Sequence, residues 1–143
     1  MPLTNDADIK DLLETTKTIA MTGLSDRPDR ASNGVMLFLQ RQGYRVMPVN
    51  PTIAGEQVHG EHVWASLDEI GVDIDMVDVF RNSAAAADAV DEAIAAGAKS
   101  VWMQLGVVNE AAAAKAEAAG LKVVMDRCPK IEIPRLGVAA KDV

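Results

Sequence analysis

Positive charge is scarce in this chain: 14 lysines and arginines stand against 21 aspartates and glutamates, a formal net charge of −7. That balance excludes general nucleic-acid binding, which needs a basic surface to displace counterions. Any anionic ligand must therefore meet a local positive patch. The single cysteine, Cys128, excludes a disulfide within the chain. No apolar run approaches the ~18 residues of a membrane span. The start Met1-Pro2-Leu3-Thr4-Asn5-Asp6 has neither the basic nor the apolar region of a secretory signal. The expectation is a cytoplasmic protein with no membrane or nucleic-acid partner. Linkers and low-complexity stretches are absent too, so the 143 residues read as one domain, long enough to bury a real core.

What is present starts with Thr18-Ile19-Ala20-Met21-Thr22-Gly23-Leu24-Ser25-Asp26-Arg27-Pro28-Asp29-Arg30-Ala31-Ser32. A short apolar strand runs into a loop of Gly, Ser, Pro and Arg, and a helix begins near Ser32 or Asn33. Such a junction presents backbone N–H groups, small residues and the positive end of a helix dipole to one point, which favours a phosphate.

A glycine recurs where a helix should stop and a strand begin, at Gly43, Gly71, Gly97 and Gly120. Glycine tolerates the left-handed conformation that closes a helix. The strands read as 17–22, 45–49, 74–79, 99–104 and 121–125, with the spacing of βαβ units. The helices read as Asp8–Thr15, Ser32–Gln42, Ser83–Ala96 and Asn109–Ala119, the last two alanine-rich for close packing on a sheet. Ile53–Ala65 lacks helical period and reads as a loop with a short extended piece. The expected architecture is α/β, an open parallel sheet of about five strands with helices on both faces.

Ligands of such sheets bind beyond the carboxyl ends of the strands, near the point where strand order reverses. The segments there are Gly23-Leu24-Ser25, Asn50-Pro51, Phe80-Arg81-Asn82, Gln104-Leu105-Gly106 and Asp126-Arg127-Cys128-Pro129. They exclude the commonest nucleotide motifs. A dinucleotide turn needs G-x-G-x-x-G and an acidic residue closing the second strand. Here Ser25 replaces the second glycine and the strand ends in Val49-Asn50-Pro51, which makes NAD a poor ligand. No G-x-x-x-x-G-K-[ST] occurs, so ATP hydrolysis of the P-loop type has no support.

Gly23-Leu24-Ser25 with Pro28, Arg30 and Ser32, then Val46 to Pro51, Val77 to Arg81, Val101 to Gly106 and Asp126 to Pro129 resemble the small stand-alone CoA-binding proteins. These are similar to the CoA-binding domain of the succinyl-CoA synthetase alpha subunit. The resemblance spans residues 10–133 and implies a Rossmann-like fold with coenzyme A or an acyl-CoA bound across the strand ends. Carried over by position, it sets the phosphates against Gly23, Leu24, Ser25 and Ser32 and the nucleotide half along Asn50 and Pro51. Phe80, Arg81, Gln104 and Gly106 then line the rest of the groove. Arg30 and Arg81 are the expected charge partners, and Arg27 the arginine expected to pair with a nearby aspartate.

No nucleophile, base and orienting acid stand in a recognisable arrangement, so the favoured reading is a binder without chemistry of its own. Two alternatives accompany it: a subunit acting with a partner acyl-CoA enzyme, and a thiol-exchange or acyl-CoA enzyme using Cys128. His59 and His62 lack a third metal ligand and read as structural or solvent-facing. Met36, Met47, Met103, Met125 and Trp102 read as core, and Trp64 as a surface contact. The tail Ile131–Leu136 alternates apolar and polar residues, a pattern suited to covering a sheet edge of this chain or of a second copy in a homodimer.

Overall fold

The computed structural model describes residues 1–141. In chain order its elements are α1 (Asp6–Thr15), β1 (Thr18–Thr22), α2 (Ala31–Arg41), β2 (Arg45–Val49), β3 (Gln57–Val58), β4 (Glu61–His62), β5 (Met76–Val79), α3 (Ala86–Ala95), β6 (Ser100–Met103), α4 (Glu110–Ala118), β7 (Lys122–Val124) and α5 (Pro129–Leu136). The main sheet is parallel throughout, in the order β2-β1-β5-β6-β7. The chain moves outward from β1 to β2, then returns to the other side of β1 and advances through β5, β6 and β7. Strand order therefore reverses between β1 and β5. Right-handed crossovers run in opposite directions from that point send the connecting helices to opposite faces.

One face carries α1, α2 and α5 over Ile19, Met21, Met76, Trp102 and Val124; the other carries α3 and α4 over Ala20, Val77, Val79, Val101 and Val123. Ala86, Ala89, Ala93, Ala112, Ala113 and Ala116 are all buried, and their small side chains let α3 and α4 lie close to each other and to the sheet. Met36, Met47, Met103 and Trp102 are core residues as their sequence context suggests.

Four details depart from the sequence reading. Asn5 caps α1 through its Oδ1, which accepts the Ala7 N–H at 2.8 Å, so the helix begins before Asp8. Helix α3 begins at Ala86 rather than Ser83, because the Asn82 side chain takes the Ala85 N–H at 2.8 Å and holds the preceding residues in a turn. Trp64 is half-buried against the α3–α4 side of the core, and its backbone pairs with Pro48 and Asn50, so it is no free surface contact.

The largest departure is the tail. It folds as helix α5 on the face of α1 and α2 and does not lie along a sheet edge. Pro129 supplies the preset φ of a first turn, Gly137 closes the helix in the left-handed conformation, and Pro134 inside it forgoes one backbone bond. The polar residues of the alternating pattern are what misled: Glu132 is buried because Arg127 and Arg135 donate to it at 2.7 and 2.8 Å. Arg135 also holds Asp6 at 2.9 Å, tying α5 to the start of α1. The β7 edge is met instead by the N-terminal segment, where the Leu3 N–H donates to the Val123 carbonyl at 2.7 Å.

Candidate functional site

The reversal between β1 and β5 leaves the carboxyl edge of the sheet indented on both sides of Gly23. One cleft of about 300 Å³ is lined by Gly23, Asn50, Pro51, Ala65, Arg81 and Glu92, together with Thr22 and Val49. A second of about 360 Å³ is lined by Gly23, Ser25, Arg30, Ala31, Ser32 and Phe80. Gly23 separates them because the chain turns there at φ +76° and passes directly against the β5 end. A Cβ on Gly23 would lie 2.7 Å from the Phe80 carbonyl oxygen. The first and third strand-end loops therefore touch through backbone, which only glycine permits.

Side chains from neighbouring elements pin the first loop. The Ser25 N–H donates to Ser32 Oγ at 3.0 Å, Asn33 Nδ2 donates to the Ser25 carbonyl at 3.1 Å, and Asn50 Nδ2 donates to the Leu24 carbonyl at 2.8 Å. Asn33 is held in turn by the His59 ring nitrogen, 2.8 Å from its Oδ1. The loop is thereby fixed in advance of any ligand, and holding polar groups in place beforehand lowers the cost of binding. His59 serves this loop, while His62 packs edge-on against Trp64 at 4.5 Å.

These bonds change which backbone donors are free. The Gly23 N–H donates to the Val49 carbonyl at 3.1 Å and that of Ser25 is used by Ser32, so neither of these two expected phosphate donors is open. Among the described residues, the N–H groups of Leu24, Ala31 and Ser32 have no protein acceptor. Those of Ala31 and Ser32 open α2, where the helix dipole adds positive potential. Arg30 is the residue before the helix and uses no side-chain cap bond.

Arg30 and Arg81 enter no ion pair among the described residues, whereas Arg27 is paired with Asp29 at 3.3 Å. Asp78, a sequence neighbour of Arg81, is fully buried in β5 between Met21 and Trp102, and neither of its oxygens has a partner among the described residues. Burial pushes its carboxyl well above the usual carboxylate range.

Eight of the eleven residues singled out in the sequence therefore line the paired clefts. The other three stand apart. Leu24 is fully buried in the core. Gln104 is nine-tenths buried at the end of β6, with its Oε1 unpartnered among the described residues. Gly106 lies in the β6–α4 loop, where its N–H donates to Asp126 Oδ1 at 2.8 Å. Glu92 is the residue that sequence reasoning missed: it is exposed, as its place on α3 suggests, and it also stands on the wall of the first cleft. Cys128 is buried at the start of α5 and faces a different, larger cavity.

A parallel sheet of this order, with both faces covered and its carboxyl edge indented at the reversal, defines a Rossmann-like α/β domain. The chain belongs to the CoA binding domain family, whose match covers residues 17–134. It is 42% identical to the uncharacterized protein YneT of Bacillus subtilis over 125 residues, 87% of this chain and 91% of that protein. A hypothetical protein from Pyrococcus horikoshii is 39% identical, with a TM-score of 0.89 over 95% of this chain and 96% of that one. A Thermus thermophilus structure is 38% identical, with a TM-score of 0.88 over 93% of this chain and 99% of that one. The dinucleotide-forming acetyl-coenzyme A synthetase 1 of Ca. Korarchaeum cryptofilum shares the fold at 20% identity, with a TM-score of 0.69 over 81% of this chain and 26% of that one. No helix among the described residues is long and apolar enough to cross a membrane.

Proposed function

We propose that the protein binds coenzyme A or an acyl-CoA in the two clefts on either side of Gly23 and performs no chemistry of its own. The observation that carries this reading is the placement of two arginines without an ion pair among the described residues, Arg30 and Arg81, one in each cleft of a chain whose net charge is −7. The pyrophosphate belongs in the second cleft. There the open N–H groups of Ala31 and Ser32, the helix dipole and Arg30 converge, with no carboxylate among the lining residues. The adenosine belongs in the first cleft, between Asn50, Pro51 and Ala65. Glu92 suits ribose hydroxyls there and would repel a phosphate, while Arg81 supplies the countercharge for the 3′-phosphate.

Glu92 also alters the case against NAD. The acidic residue missing after β2 is partly replaced by a carboxylate from α3, so discrimination rests on Arg81 and the 3′-phosphate that NAD lacks. Titration calorimetry with CoA, 3′-dephospho-CoA and NAD tests this: affinity should fall from CoA to 3′-dephospho-CoA, which lacks the phosphate that Arg81 would meet, and again to NAD, which keeps the diphosphate but replaces the pantetheine arm by a cationic nicotinamide. NAD binding as tightly as CoA would overturn the reading.

A further inference from the structure

A cavity of about 630 Å³, larger than either cleft, lies on the same carboxyl edge but further along it, between the β6–α4 loop, the β7–α5 loop and the first residues of the chain. Five large hydrophobic side chains are exposed among the described residues, and four of them, Met1, Leu105, Val108 and Ile131, line this one cavity. Single exposed apolar residues are ordinary, but a cluster rimming a hollow marks a binding surface.

The charges around the hollow restrict what it accepts. Glu110, Asp126 and Glu132 supply carboxylates, and the one side-chain cation in the lining, Arg127, is committed to Glu132 at 2.7 Å. An apolar, uncharged group fits this wall and a carboxylate does not. The spacing fits as well. From β1, where the phosphate cleft begins, to β7, which borders the cavity, there are three strand intervals, roughly 14–15 Å. The pantetheine arm of CoA has about thirteen bonds between its phosphate and its sulfur, a reach of roughly 15 Å at the extension of a polypeptide backbone. Gln104, at the end of β6, stands between the two places, and its buried Oε1 lacks a donor among the described residues. An amide N–H of the arm would supply one.

We propose that this cavity receives the uncharged acyl chain of an acyl-CoA thioester whose nucleotide lies at Gly23, so that the protein prefers a medium-chain acyl-CoA to free CoA. The proposal rests on the CoA reading of the paired clefts. The test is calorimetry on the full chain with CoA, butyryl-CoA, hexanoyl-CoA, octanoyl-CoA and succinyl-CoA, with sedimentation equilibrium at the same concentrations. Binding should tighten by roughly fourfold per added methylene, the gain from burying each one. Succinyl-CoA should bind more weakly than butyryl-CoA. In Val108→Asp the ratio of octanoyl-CoA to CoA affinity should collapse toward unity. If CoA binds but the series is flat, the acyl cavity is refuted while the groove reading stands. If CoA does not bind at all, the groove reading fails and this one falls with it. A parent chain that is a dimer, that Ile131→Glu dissociates, and that shows a flat series before any substitution would assign the hollow to a second copy of the chain and overturn the proposal.

Discussion

Replacing Gly23 by alanine should destabilise the fold well beyond the ordinary penalty for a glycine in a left-handed turn. At φ +76° an L-residue incurs about 1–2 kcal/mol from its Cβ against its own backbone. The new methyl would also lie 2.7 Å from the Phe80 carbonyl oxygen and 3.0 Å from its carbon. These are backbone atoms at the end of β5 and cannot swing aside, so overpacking adds about 1–3 kcal/mol. Gly106 provides the internal reference. Its φ is +80°, yet a Cβ there meets nothing within 4 Å, so Gly106→Ala should show the conformational penalty alone. Urea denaturation followed by circular dichroism should place Gly23→Ala below Gly106→Ala by about 1–3 kcal/mol. Equal losses would mean that the β5 end yields freely, and the rigid contact between the two loops would be refuted. Gly23→Val makes the same contact worse. Valine brings two further methyl groups and a branched Cβ into the same contact, so loss of binding in that variant would report damage to the fold.

Three other perturbations separate binding from stability. Arg81→Ala should weaken CoA by about 1.5–3 kcal/mol and flatten the salt dependence of binding, while Glu92→Gln should strengthen it; calorimetry at two ionic strengths that shows neither change would remove the first cleft from the site. Burial raises the Asp78 carboxyl in the folded state, so the stability linked to it is full below the ordinary aspartate value of 3.8 and is lost as pH rises through the folded-state value. Asp78→Asn should remove that decline, and parallel pH–stability curves for the two proteins would contradict it. Glu132 behaves in the opposite sense: the Arg135 and Arg127 hydrogen bonds lower its carboxyl, so its contribution is present at neutral pH and lost as pH falls through the carboxylate range. Glu132→Ala should lose about 2 kcal/mol at neutral pH, the cost of leaving two arginines without their shared partner, and much less in acid.

The sheet was legible in the sequence because its signals are local. At Gly43, Gly97 and Gly120 a left-handed glycine closes a helix just before an apolar run, and these three turns mark helix-to-strand junctions whatever lies elsewhere; Gly71, expected to do the same, is not left-handed and follows only the short 3-10 turn Leu67–Glu69. The first-loop composition placed the ligand edge for the same reason, since N–H groups, small side chains and a helix start are set by a dozen consecutive residues. Helix α5 was illegible because its decisive contact is not local. Alternating apolar and polar residues imply an edge strand only if the polar ones face water. Glu132 does not, because Arg127 from the preceding turn and Arg135 from the following one cover it. Nothing in the segment Ile131–Leu136 alone distinguishes a solvated glutamate from a buried one.

The site shows the same boundary at finer scale. Residue types could be assigned to strand ends, but not which polar groups the protein uses to hold its own loops. Asn50 reads as a ligand contact because it follows β2, yet its amide donates to the Leu24 carbonyl and its Oδ1 accepts the Thr52 N–H, which commits it to shaping the first loop. Ser25 and Ser32 read as two separate phosphate ligands, yet they bond to each other and leave the helix-start amides as the open donors. Glu92 reads as solvated because the α3 stripe faces the sheet through Ala86, Ala89, Val90 and Ala93. Its position on the cleft wall depends on the packing angle of the helix, which no sequence pattern carries. A loop that occupies its own side chains in this way can stay rigid in an acidic chain without a ligand. The charge left over for recognition is then concentrated in Arg30 and Arg81, one on each side of the glycine where the strand order turns.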